Sequence, residues 1–125
     1  QDDIPANLRF GVELNWGIVG GDSRHGYLDV GTERRGLGDF EGSDETSALT
    51  VGSTLPDLAG EVKLALDRPA SLWHFPLEVV SKSEAGYERV YQGTCTLLWW
   101  DVLLEPGRPW ETELTLSLRE VQPQP

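Results

Sequence analysis

The sequence predicts an all-β protein, an antiparallel β-sandwich. Apolar residues recur at every second position in several segments, turn-forming residues separate those segments, and no stretch of helical length carries a 3.6-residue apolar stripe. The chain of 125 residues has the length of one domain. We therefore expect a single domain over residues 1–125, with about eight strands and no helical layer.

Alternation identifies the strands in order along the chain. Residues 8–16 place Leu8, Phe10, Val12, Leu14 and Trp16 on one face, as in a half-buried strand. Residues 61–67 and 110–119 repeat this pattern, the latter with Trp110, Thr112 and alternate leucines inward. Residues 71–81 and 94–104 are apolar on both faces, which predicts central strands covered on two sides. Shorter candidate strands cover residues 27–30, 48–52 and 87–93.

The segment 31–47 (GTERRGLGDFEGSDETS) is polar, rich in glycine and acidic towards its end. We predict a mobile or ligand-facing loop there, and a turn at residues 67–69. Oxygen ligands that Ca²⁺ accepts lie close together in the first segment, at Asp39, Glu41, Asp44 and Glu45. The spacing departs from the known Ca²⁺-loop pattern. We expect no cofactor, and a Ca²⁺ site and a solvated acidic loop are the two readings left open.

Charge and composition exclude several classes of partner. The chain carries 21 acidic and 10 basic residues, a formal charge of −11, without a basic cluster. We therefore expect no nucleic-acid partner and no membrane partner, since phosphate backbones and anionic lipid surfaces would be repelled. A single cysteine, Cys95, removes any internal disulfide and is predicted to be a small buried side chain.

The sequence offers little for catalysis. His25 and His74 are the only histidines, and the Gly-rich nucleotide cradles and the Gly-x-Ser-x-Gly elbow are absent. Glu78, Glu84 and Asp101, together with Glu88, are the carboxylates that could converge as an acid and base pair. In so acidic a chain such a grouping is expected by chance, so we predict that the protein is not an enzyme.

The five tryptophans are the strongest candidates for ligand contact, because flat aromatic rings stack on the C–H faces of sugars. Trp100 shares its side with aliphatic residues and Trp73 shares its side with Phe75, Leu77 and Val79, so both are predicted in the core. Trp99 shares its side with Asp101 and is the best stacking candidate. Trp16 and Trp110 fall at strand ends, where burial and a rim position are equally expected.

Several segments resemble the C-terminal β-sandwich domain of family 57 glycoside hydrolases, of the α-amylase and 4-α-glucanotransferase type. The most specific is residues 75–93 (FPLEVVSKSEAGYERVYQG). Its companions occur in the same order, at residues 9–15 (RFGVELN), 68–76 (RPASLWHFP), 100–101 (WD) and 104–107 (LEPG). The resemblance covers nearly the whole chain, and segment 31–47 is the least alike.

The resemblance implies a non-catalytic companion of an α-glucan enzyme, with a galactose-mutarotase-like or carbohydrate-binding-module-like sandwich. The catalytic carboxylates of that family lie in a separate barrel, and no residue here matches them. Polar residues of the matching motif have two explanations, a buried hydrogen-bond and ion-pair network or recognition of sugar hydroxyls. They are Glu78, Ser81, Ser83, Glu84, Glu88 and Arg89.

The leading functional hypothesis is a carbohydrate-binding module for starch-like or maltooligosaccharide α-glucan chains, within a larger glycoside hydrolase polypeptide. The predicted binding residues are Trp99, Asp101, Trp16, Trp110, His74, Glu78 and Glu84. The alternative is a purely structural accessory domain that supports a catalytic domain of the same polypeptide and leaves an apolar patch bare. A small carboxylate enzyme ranks third.

Overall fold

The computed structural model describes residues 4–18, 21, 23–57 and 59–123. These residues form seven strands and no helix. The strands are β1 (Ala6–Trp16), β2 (Gly26–Val30), β3 (Glu33–Arg35), β4 (Glu41–Ser53), β5 (Gly60–Ser83), β6 (Gly86–Leu104) and β7 (Leu114–Glu120). The described part of the chain thus has no helix that could cross a membrane.

All strands belong to one sheet with the order β1-β6-β5-β4-β2-β3, and β7 pairs with β5. Every pairing is antiparallel. The long strand β5 is central: β4 lies along one side, while β7 and then β6 share the other side. The prediction of an all-β antiparallel fold is confirmed, with one strand shared by both halves of the molecule.

The predicted turn at residues 67–69 is instead a bulge inside β5. Up to Leu66 the strand pairs with β7, and from Ser71 it pairs with β6. On the other side the register with β4 shifts at the same place, around Thr46. Pro69 has no backbone N–H to donate, so it is tolerated where the ladder is interrupted. The sheet bends here, and its two halves enclose the core.

The core lies on one face of the bent sheet. Its fully buried residues come from strands of both halves and include Leu28, Leu49, Val51, Leu64, Leu72 and Leu98. Leu37, between β3 and β4, is buried in the same cluster, and its carbonyl accepts a hydrogen bond from the Thr94 hydroxyl at 2.8 Å. Cys95 is buried as predicted, and burial raises the pKa of its thiol to about 11.

Segment 31–47 is not the long loop that its composition predicts. It contains β3 and the first part of β4. The reason is Arg35, whose side chain is only 8% exposed and is paired with Glu33 and Glu41. Arg35 also donates to the Ser43 hydroxyl at 2.6 Å. Mutual pairing of these charges makes a polar segment compatible with a strand.

Two other sequence-based expectations about coverage are wrong. In β7, Leu116 and Leu118 were expected to face the core but are 53% and 75% exposed. The ends of β5 and β6 form a hairpin arm, defined here as residues 78–90, in which every residue is exposed. A buried ion-pair network, one of the two explanations for its polar residues, is therefore contradicted. The central strands are covered on their inner face, whereas their outer face is partly open.

Candidate functional site

The outer face of β1, β6, β5 and β4 carries a pair of tryptophans, Trp73 and Trp99. Trp73 lies opposite Leu97 and Trp99 lies opposite Ser71, so the two rings are diagonal neighbours across β5 and β6. Their centroids are 5.1 Å apart with an interplanar angle of 77°, an edge-to-face contact. Trp73 is 48% exposed, and Trp99 is partly exposed. These two rings present indole surface to solvent.

Glycines flank both rings on the neighbouring strands. Gly11 of β1 lies opposite Trp99, and Gly42 of β4 lies opposite Trp73. A Cβ atom on Gly42 would come within 3.0 Å of Cδ1 of Trp73, which is too close without movement of the ring. Side chains at these positions would cover the indoles. We call Trp73, Trp99, Gly11 and Gly42 the aromatic platform.

Charged and polar groups border the aromatic platform. The Nε of Arg9 donates to Oδ1 of Asp101 at 2.8 Å, and the guanidinium carbon lies 5.6 Å from the centroid of Trp99. This hydrogen bond raises the pKa of Arg9. On the opposite side, the Ser71 hydroxyl donates to Asp44 at 3.3 Å. The border therefore offers both donors and acceptors at the edge of an apolar surface.

Trp73 corrects the sequence-based interpretation, which placed this residue in the core with Phe75. The alternation of side chains along β5 does not distinguish the inner face from the outer face, because both faces are apolar. The cross-strand register decides: His74 and Leu72 face inward, so Trp73 faces outward. The neighbouring Gly42 was a usable signal, but it could be recognised only once the β4–β5 register was known.

Trp16 and Trp110 lie away from the aromatic platform, on the inner side. The Trp16 indole donates to the Thr96 hydroxyl at 2.9 Å and packs against the core. Trp110 makes edge contacts with Trp100 and Phe10 and lies beside an open cleft of about 440 Å³. Both side chains are half-buried. They do not share a surface with Trp99.

His74 cannot meet a surface ligand, because it is 0% exposed. Its Nε2 lies 3.2 Å from the Nη1 of Arg35, and because arginine can only donate, Nε2 is the acceptor in this hydrogen bond. Burial, and then the nearby Arg35 charge, lower the pKa of His74. The predicted contact between His74 and sugar hydroxyls is therefore wrong, and the residue is part of the inner polar network.

Glu78 and Glu84 lie on the hairpin arm and are exposed. Glu78 is five residues beyond Trp73 along β5, a separation of about 17 Å at the rise of a strand. Glu84 lies further out, in the turn between the paired residues Ser83 and Gly86. Of the seven predicted binding residues, only Trp99 and Asp101 lie together on the outer face, where Trp73 joins them.

Three of the four acidic residues considered for Ca²⁺ have other partners. Asp39 accepts from the backbone N–H of Gly36 at 2.9 Å, Glu41 is paired with Arg35, and Asp44 accepts from Ser71. Within the ranges that the structure describes, no three His, Cys, Asp or Glu side chains are grouped to hold a metal ion. These carboxylates thus take part in the local strand structure.

Comparison with known proteins adds to this geometry. Residues 1–114 match the family described as Alpha-amylase/4-alpha-glucanotransferase, C-terminal. The chain belongs to this family. The resemblance found in the sequence to the C-terminal domain of these enzymes is thereby confirmed. Its most specific segment, residues 75–93, covers the end of β5, the start of β6 and the whole hairpin arm.

Individual relatives agree with the family assignment. Alpha-amylase 1 of Dictyoglomus thermophilum is 32% identical over 112 residues, which are 90% of this chain and 16% of the relative. The 4-alpha-glucanotransferase of Thermococcus litoralis is 29% identical over 116 residues, 92% of this chain and 14% of the relative.

A crystal structure of 4-alpha-glucanotransferase from the same organism superimposes with a TM-score of 0.61 and 25% identity, covering 94% of this chain and 15% of that one. This chain therefore spans less than a fifth of the length of these relatives.

Proposed function

We propose that this chain is a non-catalytic accessory domain that binds α-glucan chains on the aromatic platform. The observation that carries the proposal is the pair Trp73 and Trp99, exposed on the outer face and flanked by glycines instead of covering side chains. A folded domain gains nothing in stability from leaving indole surface in water. A ligand that stacks on that surface accounts for it.

The surroundings of the rings suit a sugar. The C–H faces of a glucose unit can stack on the exposed indole of Trp73, while its hydroxyls reach the polar border. The Arg9 and Asp101 pair has side chains 65% and 71% exposed, so its remaining donors and acceptors are accessible. The shape is open and leaves much of the ligand in water. We expect a dissociation constant of about 10⁻³ to 10⁻⁵ M.

The choice of α-glucan and of a non-catalytic role is supported by the relatives. Those relatives are named alpha-amylase and 4-alpha-glucanotransferase, and they are more than five times as long as their matched part. The candidate carboxylates Glu78 and Glu84 lie on the arm, far from Asp101. The two carboxylates on the border of the aromatic platform, Asp44 and Asp101, accept hydrogen bonds from Ser71 and Arg9.

The decisive experiment is affinity electrophoresis through gels containing soluble starch, together with titration of maltoheptaose by calorimetry. Neither readout depends on indole emission. We expect Trp73→Ala and Trp99→Ala to abolish the retardation and the binding heat. Tyr87→Ala is the matched control, because Tyr87 is an aromatic residue 77% exposed on the hairpin arm. Binding that persists in a Trp73→Ala, Trp99→Ala double variant would contradict the proposal.

A second function, structural support of a catalytic domain, is favoured by the hairpin arm. A two-stranded ribbon with both faces in water is marginal, and this one exposes Val80 and Tyr87. A neighbouring domain of the same polypeptide could cover it. This alternative predicts that Val80→Asp lowers the stability of a longer polypeptide more than that of the isolated chain, with glucan binding unchanged.

A further inference from the structure

The edge of β7 is unlike the other edges of the sheet. Along the described chain, β7 pairs with β5 on one side only, so its other side presents unpaired backbone groups. The edge strand β3 has three residues, all charged, which is a short and protected edge. In β1, Phe10 packs on Trp100 and Trp110. The edge strand β1 is also open and is longer, with Leu8 and Phe10 41% and 42% exposed, but the leucines of β7 are more exposed, at 53% and 75%.

The surface beside this edge is apolar. Leu116 and Leu118 are 53% and 75% exposed, and Leu118 borders an open cleft of about 590 Å³ that Ile18, Val51 and Val62 also line. Leucine side chains in this position gain about 25 cal/mol for each Å² removed from water. A long edge with these properties is an established template for pairing with another strand.

We propose that β7 pairs with β7 of a second copy of this chain, forming a two-fold symmetric antiparallel dimer. The sequence of β7 is self-complementary when the two-fold axis passes through Ser117. Leu116 of one copy then lies opposite Leu118 of the other, and the reverse contact follows from symmetry. Arg119 lies opposite Thr115, and Glu120 lies opposite Leu114. No like charges face each other in this register.

Local charge also permits a second copy, although the whole chain carries −11. Two positive and two negative charges lie near the edge: Glu61 accepts a hydrogen bond from Arg119, Lys63 lies opposite Ser117 on the same face, and Glu120 lies opposite Gly60 at the end of β7. Repulsion between the distant acidic residues is screened within about 10 Å at moderate salt. The dimer therefore joins two locally neutral patches. In each copy the aromatic platform lies on the half of the sheet that contains β6, away from β7, and stays open to solvent.

Sedimentation equilibrium of the 125-residue chain tests the association. We expect a concentration-dependent species of twice the 13.9 kDa chain mass, strengthened by salt. Leu116→Lys and Leu118→Lys should each give a monomer that remains folded, because both side chains are exposed in the single chain. Val80→Lys, on the hairpin arm, is the matched control and should leave the dimer intact.

Cysteine cross-linking tests the register. Residues directly opposite each other in an antiparallel pair have Cα atoms about 4.5 to 5.5 Å apart, within the range of a disulfide. We expect Ser117→Cys to form a disulfide between two copies under mild oxidation, whereas Thr115→Cys on the same strand does not. Cys95 does not compete, because it is buried.

Three results would overturn the proposal. They are a monomer at concentrations up to about 1 mM, a dimer that survives Leu116→Lys, and a dimer lost with Val80→Lys, which would assign the interface to the hairpin arm. A longer polypeptide that stays monomeric while the β7 amides are protected from hydrogen exchange would assign this edge to one of its own strands. Glucan binding is an independent readout, since the aromatic platform is untouched in every variant.

Discussion

Trp99 and Trp100 are consecutive in β6 but have opposite surroundings. Trp100 is 6% exposed, its indole N–H donates to the Arg68 carbonyl at 3.1 Å, and its ring contacts Phe10 and Trp110. Trp99 lies on the other face, against Trp73 and beside Arg9. The side chain is the same in both places. What differs is whether another layer of the protein lies above that face of the sheet.

The largest effect is expected from Trp100→Ala. Removing a buried indole and leaving its cavity costs about 3 to 5 kcal/mol of unfolding free energy. Urea denaturation followed by circular dichroism measures this loss. In Trp99→Ala the loss is about 0.5 to 1.5 kcal/mol, from the edge-to-face contact alone. Equal losses in the two variants would contradict the distinction between the two faces.

The inner face is also expected to respond to pH through His74. Because its pKa is lowered in the folded state, the unfolded chain binds this proton first as pH falls. The contribution of neutral His74 to the free energy of unfolding is therefore complete above about pH 6.5 and decreases progressively below it. Glu41 and Asp39 oppose the shift, whereas burial and Arg35 dominate.

The test for His74 compares the unfolding free energy between about pH 7 and pH 5, before most carboxylates titrate. We expect His74→Gln to show a smaller decrease over this interval than the original chain, since glutamine can accept from Arg35 without binding a proton. Identical decreases would show that His74 is not responsible.

A smaller loss is expected from Trp16→Phe. This change keeps most of the packed ring and removes the N–H that donates to the Thr96 hydroxyl. Thr96 also donates to the Leu14 carbonyl, so it keeps one partner. We expect a decrease of about 1 kcal/mol in unfolding free energy and unchanged starch retardation. Loss of the retardation in starch gels would assign Trp16 to the binding site.

The smallest change in stability is expected from Asp101→Asn, on the outer face. Its ion pair with Arg9 is exposed, and such pairs contribute little to stability because water and salt screen them. We expect the thermal midpoint to stay nearly constant while maltoheptaose binding weakens. A large thermal shift with unchanged binding would make Asp101 a structural residue instead of a ligand contact.

Much of the fold follows from local pattern, because alternation places β1, β2 and the start of β5 correctly. Whether other residues cover a given face of a strand does not follow from the alternation. Trp73 and Leu118 belong to apolar stripes, yet no described layer covers them, whereas polar Arg35 is buried with partners on β4 and β5. These outcomes depend on the register between β4, β5 and β6, which a single strand does not encode. The same limit explains why Trp99 was identified and its partner Trp73 was not.

The course of β5 has a consequence for how the molecule comes apart. Its 24 residues run through both halves, with β4 on one side from Gly60 to His74 and β7 and β6 in succession on the other. Unfolding of either half alone would therefore break hydrogen bonds to β5, on which the other half also depends. We expect amide protons of β4, β5 and β6 around the bend to exchange together, in one cooperative event with the free energy of global unfolding.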